Sequence, residues 1–223
     1  MVIPLEGIEK LLKNINPSKA SGPDNIRVIT KLPNSEQSYK EKVKTHKNRI
    51  LKECAKQLAP GLTSIYQKSI DTGTPPRDWL NVNVSCIFKK GNKHATENYR
   101  PVSLTSMPCK LLEDVICKHM LKHLKRHKVL TSLNHGFRSR YSWETQLLVT
   151  RHDFMKSYDA GLQTDVAILD FSKAFDTVPH NKLLHKLDDY GVRGSINRWL
   201  EMFLTQRKMK VVIDGDEVRR GYS

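Results

Sequence analysis

Asp170 is the residue of this 223-residue chain best placed to do chemistry. It closes the apolar run Val166-Ala167-Ile168-Leu169, whose two β-branched residues and abrupt polar end predict a short strand covered on both faces. Side chains alternate along a strand, so Asp170 shares a face with Val166 and Ile168. A half-sheltered carboxylate at a strand's carboxyl end is costly to ionise alone, and a bound cation, magnesium being the expected one, stabilises it. Taken in isolation, such an Asp reads more readily as a turn or helix-capping residue. Phe175 changes the balance, because its ring is carried on the same turn and could lie beside whatever the cation holds. The backbone N–H groups of residues 171 to 174 could then face phosphates, as turns and helix starts commonly do.

The elements that must position this turn are legible from periodicity and punctuation. Val82 to Phe88 reads as a strand, Lys89-Lys90-Gly91-Asn92-Lys93 as a basic hairpin turn, and Tyr99-Arg100-Pro101 as the return. Leu51, Cys54, Leu58, Leu62, Ile65 and Ile70 suggest helical packing interrupted near Pro60-Gly61 and ended by Gly73 with Pro75-Pro76. A helix from Lys110 to Lys128 has the apolar stripe Leu112, Ile116, Met120 and Leu124, which leaves its lysines outside. Ser142 caps a helix running to about Asp159 and stopped at Gly161. Leu183, Leu184 and Leu187 mark a helix ended by Gly191, and Ser195 caps another carrying Ile196, Trp199, Leu200 and Phe203. Lys210 to Ile213 and Glu217 to Arg220 flank the two-residue turn signal Asp214-Gly215.

The motifs, taken in order, resemble the reverse transcriptases of non-LTR, jockey- and CR1-like retrotransposons. Leu169-Asp170-Phe171-Ser172-Lys173-Ala174-Phe175-Asp176-Thr177-Val178-Pro179-His180 is similar to their motif A. Lys19-Ala20-Ser21-Gly22-Pro23-Asp24-Asn25-Ile26 resembles the amino-terminal block. Pro76-Arg77-Asp78-Trp79, Ile87-Phe88-Lys89-Lys90-Gly91 and Asn98-Tyr99-Arg100-Pro101-Val102-Ser103-Leu104-Thr105-Ser106 resemble the fingers motifs. His135-Gly136-Phe137-Arg138 follows, with Glu144-Thr145-Gln146-Leu147-Leu148 on the next helix.

The resemblance implies an α+β fold, the fingers and partial palm of a right-handed polymerase, helix-rich with a small antiparallel sheet. Residues 1–163 would be fingers and amino-terminal helices, and 164–223 the partial palm. The implied activity is RNA-directed DNA polymerisation, adding dNTPs to a DNA primer on an RNA template by two-metal catalysis. Asp170 would be a catalytic ligand of Mg2+ or Mn2+, with the Phe171 carbonyl completing the shell. Phe175 would be the steric gate under the incoming sugar. A triphosphate needs cations on its far side, so Arg100 would grip it bidentately with Lys89 or Lys90 as a point charge, although the same residues also suit a solvated basic turn. Arg138, Lys118, Lys122 and Lys125 would face the nucleic acid.

Composition agrees with such a partner. Thirty-eight Lys and Arg against 23 Asp and Glu give a net charge of +15, which attracts a polyanion in a salt-dependent manner. The charge is concentrated, with eight Lys or Arg and two acids between Lys110 and Arg140. His119, His123 and His127 recur at four-residue spacing, the pattern of a zinc site, but neighbouring lysines repel a cation and no cysteine lies in register. Cys54, Cys86, Cys109 and Cys117 form no Cys-x-x-Cys pair and read as reduced, mostly buried thiols. No apolar run approaches the roughly 18 residues of a membrane span, and no secretory leader is evident, so a nuclear or cytoplasmic site is expected. Nothing in the sequence fixes an oligomeric state.

Two features depart from the family pattern. The Gly-Val-Pro-Gln-Gly and Tyr-x-Asp-Asp blocks are absent from these 223 residues. Asp188-Asp189 ends a Leu-patterned helix, and Asp214 and Asp216 flank a turn glycine, so neither pair replaces them. A truncated, inactive fragment is therefore expected, and the runner-up is a non-enzymatic nucleic-acid-binding remnant. Residues 28–49 form a polar, Lys-rich insertion that reads as a loop without a core. Deleting them is expected to leave Tm nearly unchanged in a thermal melt, and a large drop would contradict the reading.

Overall fold

The structure, a computed structural model, describes residues 1–17, 23, 48–213 and 216–217. Residues 19–26, the amino-terminal block, apart from residue 23, and residues 28–47 of the expected insertion lie outside the described residues. Residues 48 and 49 depart from the loop expectation. They open a helical segment over 48–53, with Asn48 buried and Arg49 paired to Glu53 at 2.7 Å, so the dispensable stretch cannot extend past residue 47.

The chain forms two compact units, Met1–Lys118 with His180–Ser223, and His119–Pro179. This division by packing differs from the fingers–palm boundary at residue 163, which rests on the family resemblance alone. In the first unit, α1 (Leu5–Lys13) packs Ile8 and Leu12 against α2 (Ala55–Thr72). The α2 helix runs through Pro60 and Gly61 instead of breaking there. Both residues face solvent, and the irregularity falls at Cys54. Its buried side is Ala55, Ala59, Tyr66, Ser69 and Ile70, rotated from the expected Leu58–Leu62–Ile65 stripe. At its end Gly73, at φ 65°, donates to the Ile70 carbonyl while the Thr74 N–H donates to that of Ser69. A Cβ at Gly73 would come within 2.9 Å of the Ser195 carbonyl, so both conformation and packing require glycine.

Strand β1 (Asn81–Phe88) is central. It pairs antiparallel with β2 (Tyr99–Leu104) on one edge and parallel with β3 (Lys208–Ile213) on the other, and β3 pairs antiparallel with β4 (Asp216–Glu217). The sheet is therefore mixed, which corrects the antiparallel expectation. The strands β1 and β2 follow one another in sequence, separated by residues 89–98, and pair antiparallel as a hairpin. The pairing between hairpins links segments far apart in sequence, so no turn dictates its direction. The helices α5 (His180–Asp189) and α6 (Ser195–Thr205) lead into β3. The N-cap of α6 is Gly194, and Ser195 is its first helical residue, so the expected Ser195 side-chain cap does not form.

The core of this unit gathers around two buried aromatic residues with satisfied polar tips. Tyr66 stands edge-on to Trp79 at 5.6 Å and donates its hydroxyl to the Pro108 carbonyl at 2.7 Å. The Trp199 indole N–H donates to Ser69 Oγ at 2.9 Å, and that hydroxyl donates in turn to the Thr74 carbonyl at 2.8 Å. Helix α3 (Met107–Arg126) adds Leu112 and Ile116, beginning three residues before the expected Lys110. Cys109 is buried as expected, whereas Cys86 and Cys117 are exposed.

In the second unit, α4 (Trp143–Asp159) is fixed by a reciprocal cap, Thr145 N–H to Ser142 Oγ at 3.2 Å and Ser142 N–H to Thr145 Oγ1 at 2.9 Å. Gly161 closes it at φ 65°, as its position in the sequence predicts. None of its residues is buried.

Trp199→Ala should lower the unfolding free energy by about 3–5 kcal/mol in urea denaturation. Ser69→Ala, which strands the indole N–H, should cost about 1–3 kcal/mol; a near-neutral Trp199→Ala would refute this view of the core. Burial, with the ionisable Cys109 thiol adding to it, pushes the Tyr66 hydroxyl well above its ordinary value of 10.0. A raised folded-state value means that this contribution to stability is complete below the unfolded value and lost as pH rises beyond it. Above about pH 10, stability should therefore fall more steeply in the native chain than in Tyr66→Phe, measured by denaturation at a series of pH values.

Candidate active site and nucleic-acid interface

Asp170 lies in an irregular segment, not on the strand that the apolar run predicts. Residues 162–171 have no helix or strand, and Val166, Ile168 and Leu169 are 58%, 89% and 81% exposed. A strand forms only when its N–H and C=O groups find partners, and no described strand pairs with this run. The Asp170 carboxylate is exposed and makes no hydrogen bond or ion pair to another described residue.

The turn that follows is better defined. Lys173, at φ 52°, offers its carbonyl to the N–H groups of Asp176 at 3.0 Å and Thr177 at 3.1 Å, and the Thr177 hydroxyl donates to it as well. This fold of the chain presents Phe175, whose ring meets Phe137 edge to face at 5.9 Å and 89°. The contact joins the Gly-Phe-Arg block to the turn after Asp170. Sequence reasoning placed the two blocks in one family but had no signal for their contact.

Arg138 is committed to its own loop. Its guanidinium donates to the carbonyls of Thr131 and Asn134 and lies 4.4 Å over the Tyr141 ring. Close by, His135 Nδ1 meets Thr145 Oγ1 at 2.7 Å, so the residue that caps α4 also anchors the loop before it. The Ser142 hydroxyl and local backbone N–H also hold the Glu144 carboxyl below its usual range.

On α3, Lys118 pairs with Asp114 at 2.5 Å, and Lys122 and Lys125 are exposed. The His123 and His127 rings approach to 4.4 Å. Among the described residues no three His, Cys, Asp or Glu side chains come together as a metal site, so the zinc pattern is not assembled. The same observation limits Asp170. One carboxylate and a neighbouring carbonyl are an incomplete shell for magnesium, which demands near-ideal octahedral geometry and sheds water reluctantly.

The basic hairpin of the first unit is held by its asparagines. Asn98 Nδ2 donates to the Asn92 carbonyl at 2.9 Å, Asn92 Oδ1 accepts from the His94 N–H at 2.9 Å, and the Lys89 N–H donates to the Asn98 carbonyl at 2.8 Å. Lys89, Lys90 and Arg100 are all exposed, and Arg100 is the register partner of Ile87.

Comparison with known proteins gives this arrangement a context. The chain is 25% identical over 229 residues to a probable RNA-directed DNA polymerase from transposon BS of Drosophila melanogaster, covering 99% of this chain and 22% of the relative. It is 26% identical over 189 residues to the RNA-directed DNA polymerase from mobile element jockey of the same species, covering 84% and 20%. The jockey polymerase of Drosophila funebris is 24% identical over 216 residues, covering 96% and 21%. The chain thus spans about a fifth of the length of these curated relatives. The family model for reverse transcriptase (RNA-dependent DNA polymerase) matches residues 87–222, more than half of the sequence, from the end of β1 through Arg100 and Asp170 to beyond β4. The chain belongs to the reverse transcriptase family.

Proposed function

We propose that this chain supplies the fingers and the first palm carboxylate of an RNA-directed DNA polymerase from a non-LTR retrotransposon. The observation that carries the reading is the exposed Asp170 carboxylate followed by a defined turn that presents Phe175, inside the stretch matched to the family. In this reading Asp170 contributes one donor to a magnesium ion, or manganese in its place, and the Phe171 carbonyl a second. Phe175 bounds the space for the sugar of an incoming dNTP. Arg100, with Lys89 or Lys90, neutralises the triphosphate, and Lys122 and Lys125, with Lys118 beside its own ion pair, line the path of the RNA template and DNA primer. Metal ions in nucleotidyl transfer activate the primer hydroxyl and offset charge on the leaving group. The described residues offer an incomplete set of ligands for that task. Arg138 serves this reading by holding the loop that carries Phe137.

A second reading, in which this polypeptide binds nucleic acid without catalysis, is supported by the exposed cations Lys89, Lys90, Arg100, Lys122 and Lys125. Among the described residues no helix is long and apolar enough to cross a membrane, which is compatible with a nuclear or cytoplasmic site of action.

Both readings predict salt-sensitive binding of an RNA–DNA primer–template by the 223-residue chain. Binding should survive Asp170→Ala and weaken several-fold with Arg100→Ala, measured by filter retention or anisotropy at low salt. No primer extension is expected from this polypeptide with Mg2+ or Mn2+. Extension abolished by Asp170→Ala would establish it as an enzyme by itself, and failure to bind at low salt would refute both readings.

A further inference from the structure

The core covers one face of β1 for only part of the strand's length. Side chains alternate along a strand, so Val82, Val84, Cys86 and Phe88 project to the same side, and directly paired residues share it. Val82 and Val84 are buried, whereas Cys86 and Phe88 are exposed, as is Pro101, the register partner of Cys86. Tyr99, the partner of Phe88, is half-buried. The face therefore runs out of the core and ends, at the hairpin, in a small apolar platform open to solvent.

Phe88 is 38% exposed, while Tyr66, Trp79 and Trp199 of the same unit are buried. Its ring is held nonetheless. It meets Tyr99 edge to face at 5.5 Å and 61°, and the Tyr99 hydroxyl donates to the Lys93 carbonyl at 2.9 Å, which folds the turn back toward the rings. The Lys93 ammonium then stands over the Phe88 ring, 5.8 Å from its centroid. Residues 89–98 contain three lysines and one acid, Glu97, and all four of these side chains are exposed.

A cross-strand ring pair stabilises a hairpin by itself. That role needs neither an open ring surface nor an ammonium above it. A cation–π contact at an exposed site is weak, and the ammonium rides on a flexible four-carbon stem, so a better partner for the ring displaces it. A nucleobase stacked on Phe88 is such a partner, since its flat surface covers more of the ring, and the displaced ammonium is left beside the phosphate of the same nucleotide. Ring and cation thus match the two halves of one nucleotide. Bases inside a duplex are already stacked on one another and offer no free surface, so the fit is to an unpaired base.

We propose that Phe88, braced by Tyr99, is a stacking platform for an unpaired base of single-stranded RNA, with Lys93 taking the adjoining phosphate. The inference rests on the nucleic-acid reading above and adds to it two residues that it does not use, together with a preference for a single strand over a duplex.

The test is anisotropy of a labelled single-stranded RNA of roughly twelve nucleotides with the whole 223-residue chain over a salt titration, with the same sequence as a duplex alongside. Phe88→Leu, which keeps an apolar side chain on the strand, should weaken single-strand binding about tenfold at every salt concentration and leave the slope of log affinity against log salt unchanged. Duplex binding by the same variant should change little. Lys93→Gln should lower the single-strand slope by about 0.7, the loss of one phosphate contact. Phe88→Trp should bind as the native chain does, and the emission of its added indole should be quenched as a base stacks on it. Native-like single-strand binding by Phe88→Leu, an equal loss on strand and duplex, or added Trp emission that RNA leaves unchanged would overturn this inference and leave the family reading in place. No native binding at low salt would overturn both.

Discussion

The pairing of β1 on both of its edges is the constraint on which the first unit depends. Val82 and Val84 are buried, so the backbone N–H and C=O groups around them have no water to turn to and must be satisfied by neighbouring strands. One edge is met locally, by the hairpin to β2, and the other by β3, more than a hundred residues later. A slip of one residue in either register would exchange the two faces of the sheet. The register that buries Val82 therefore also fixes Arg100 and Lys210 on the opposite, solvated side. The Trp199–Ser69 hydrogen bond serves the same end: it holds α6 against α2, and β3 begins three residues after α6 ends.

The second unit is organised differently. Its helix α4 buries no side chain, and its defined contacts are polar locks or ring edges: Ser142 with Thr145, His135 with Thr145, Arg138 with Tyr141, Phe137 with Phe175. Contacts of this kind contribute about 1 kcal/mol each, far less than a buried core residue. The Asp170 turn thus takes its geometry from the Lys173 carbonyl and from one ring contact. Arg100, by contrast, is fixed within a hydrogen-bonded ladder.

What could be read in the sequence follows from how local each signal is. Gly73, Gly161 and Gly191 all stop helices where expected, because the left-handed exit is a property of one residue and its immediate neighbours. The capping Ser142 and the β1–β2 hairpin are local in the same sense. The helix expected to run to Lys128 ends at Arg126, and its exit is made without a glycine by Lys128 at φ 54°. Pro60 predicts a break, yet a proline on the solvent side removes one hydrogen bond without ending a helix that is packed on its other side. Direction of pairing between β1 and β3, exposure of Val166 to Leu169, and the carbonyl partners of Arg138 all depend on segments distant in sequence. The family motifs were legible nonetheless, since their spacing does not depend on which strand pairs with which, and residues 87–222 match the reverse transcriptase family.

The two candidate groups also differ in what their surroundings can do for them. An exposed carboxylate gains little from a single cation, because water screens the attraction. Catalytic metal binding needs several oxygen ligands converging in a sheltered site, where each charge is felt strongly. A cationic sheet face works under the opposite conditions. Its long side chains stay hydrated, its spacing is fixed by the ladder, and its attraction for phosphates grows with the number of contacts without requiring shelter. Arg100 is exposed at a position that the β1–β2 ladder fixes, whereas Asp170 is exposed on a segment without helix or strand.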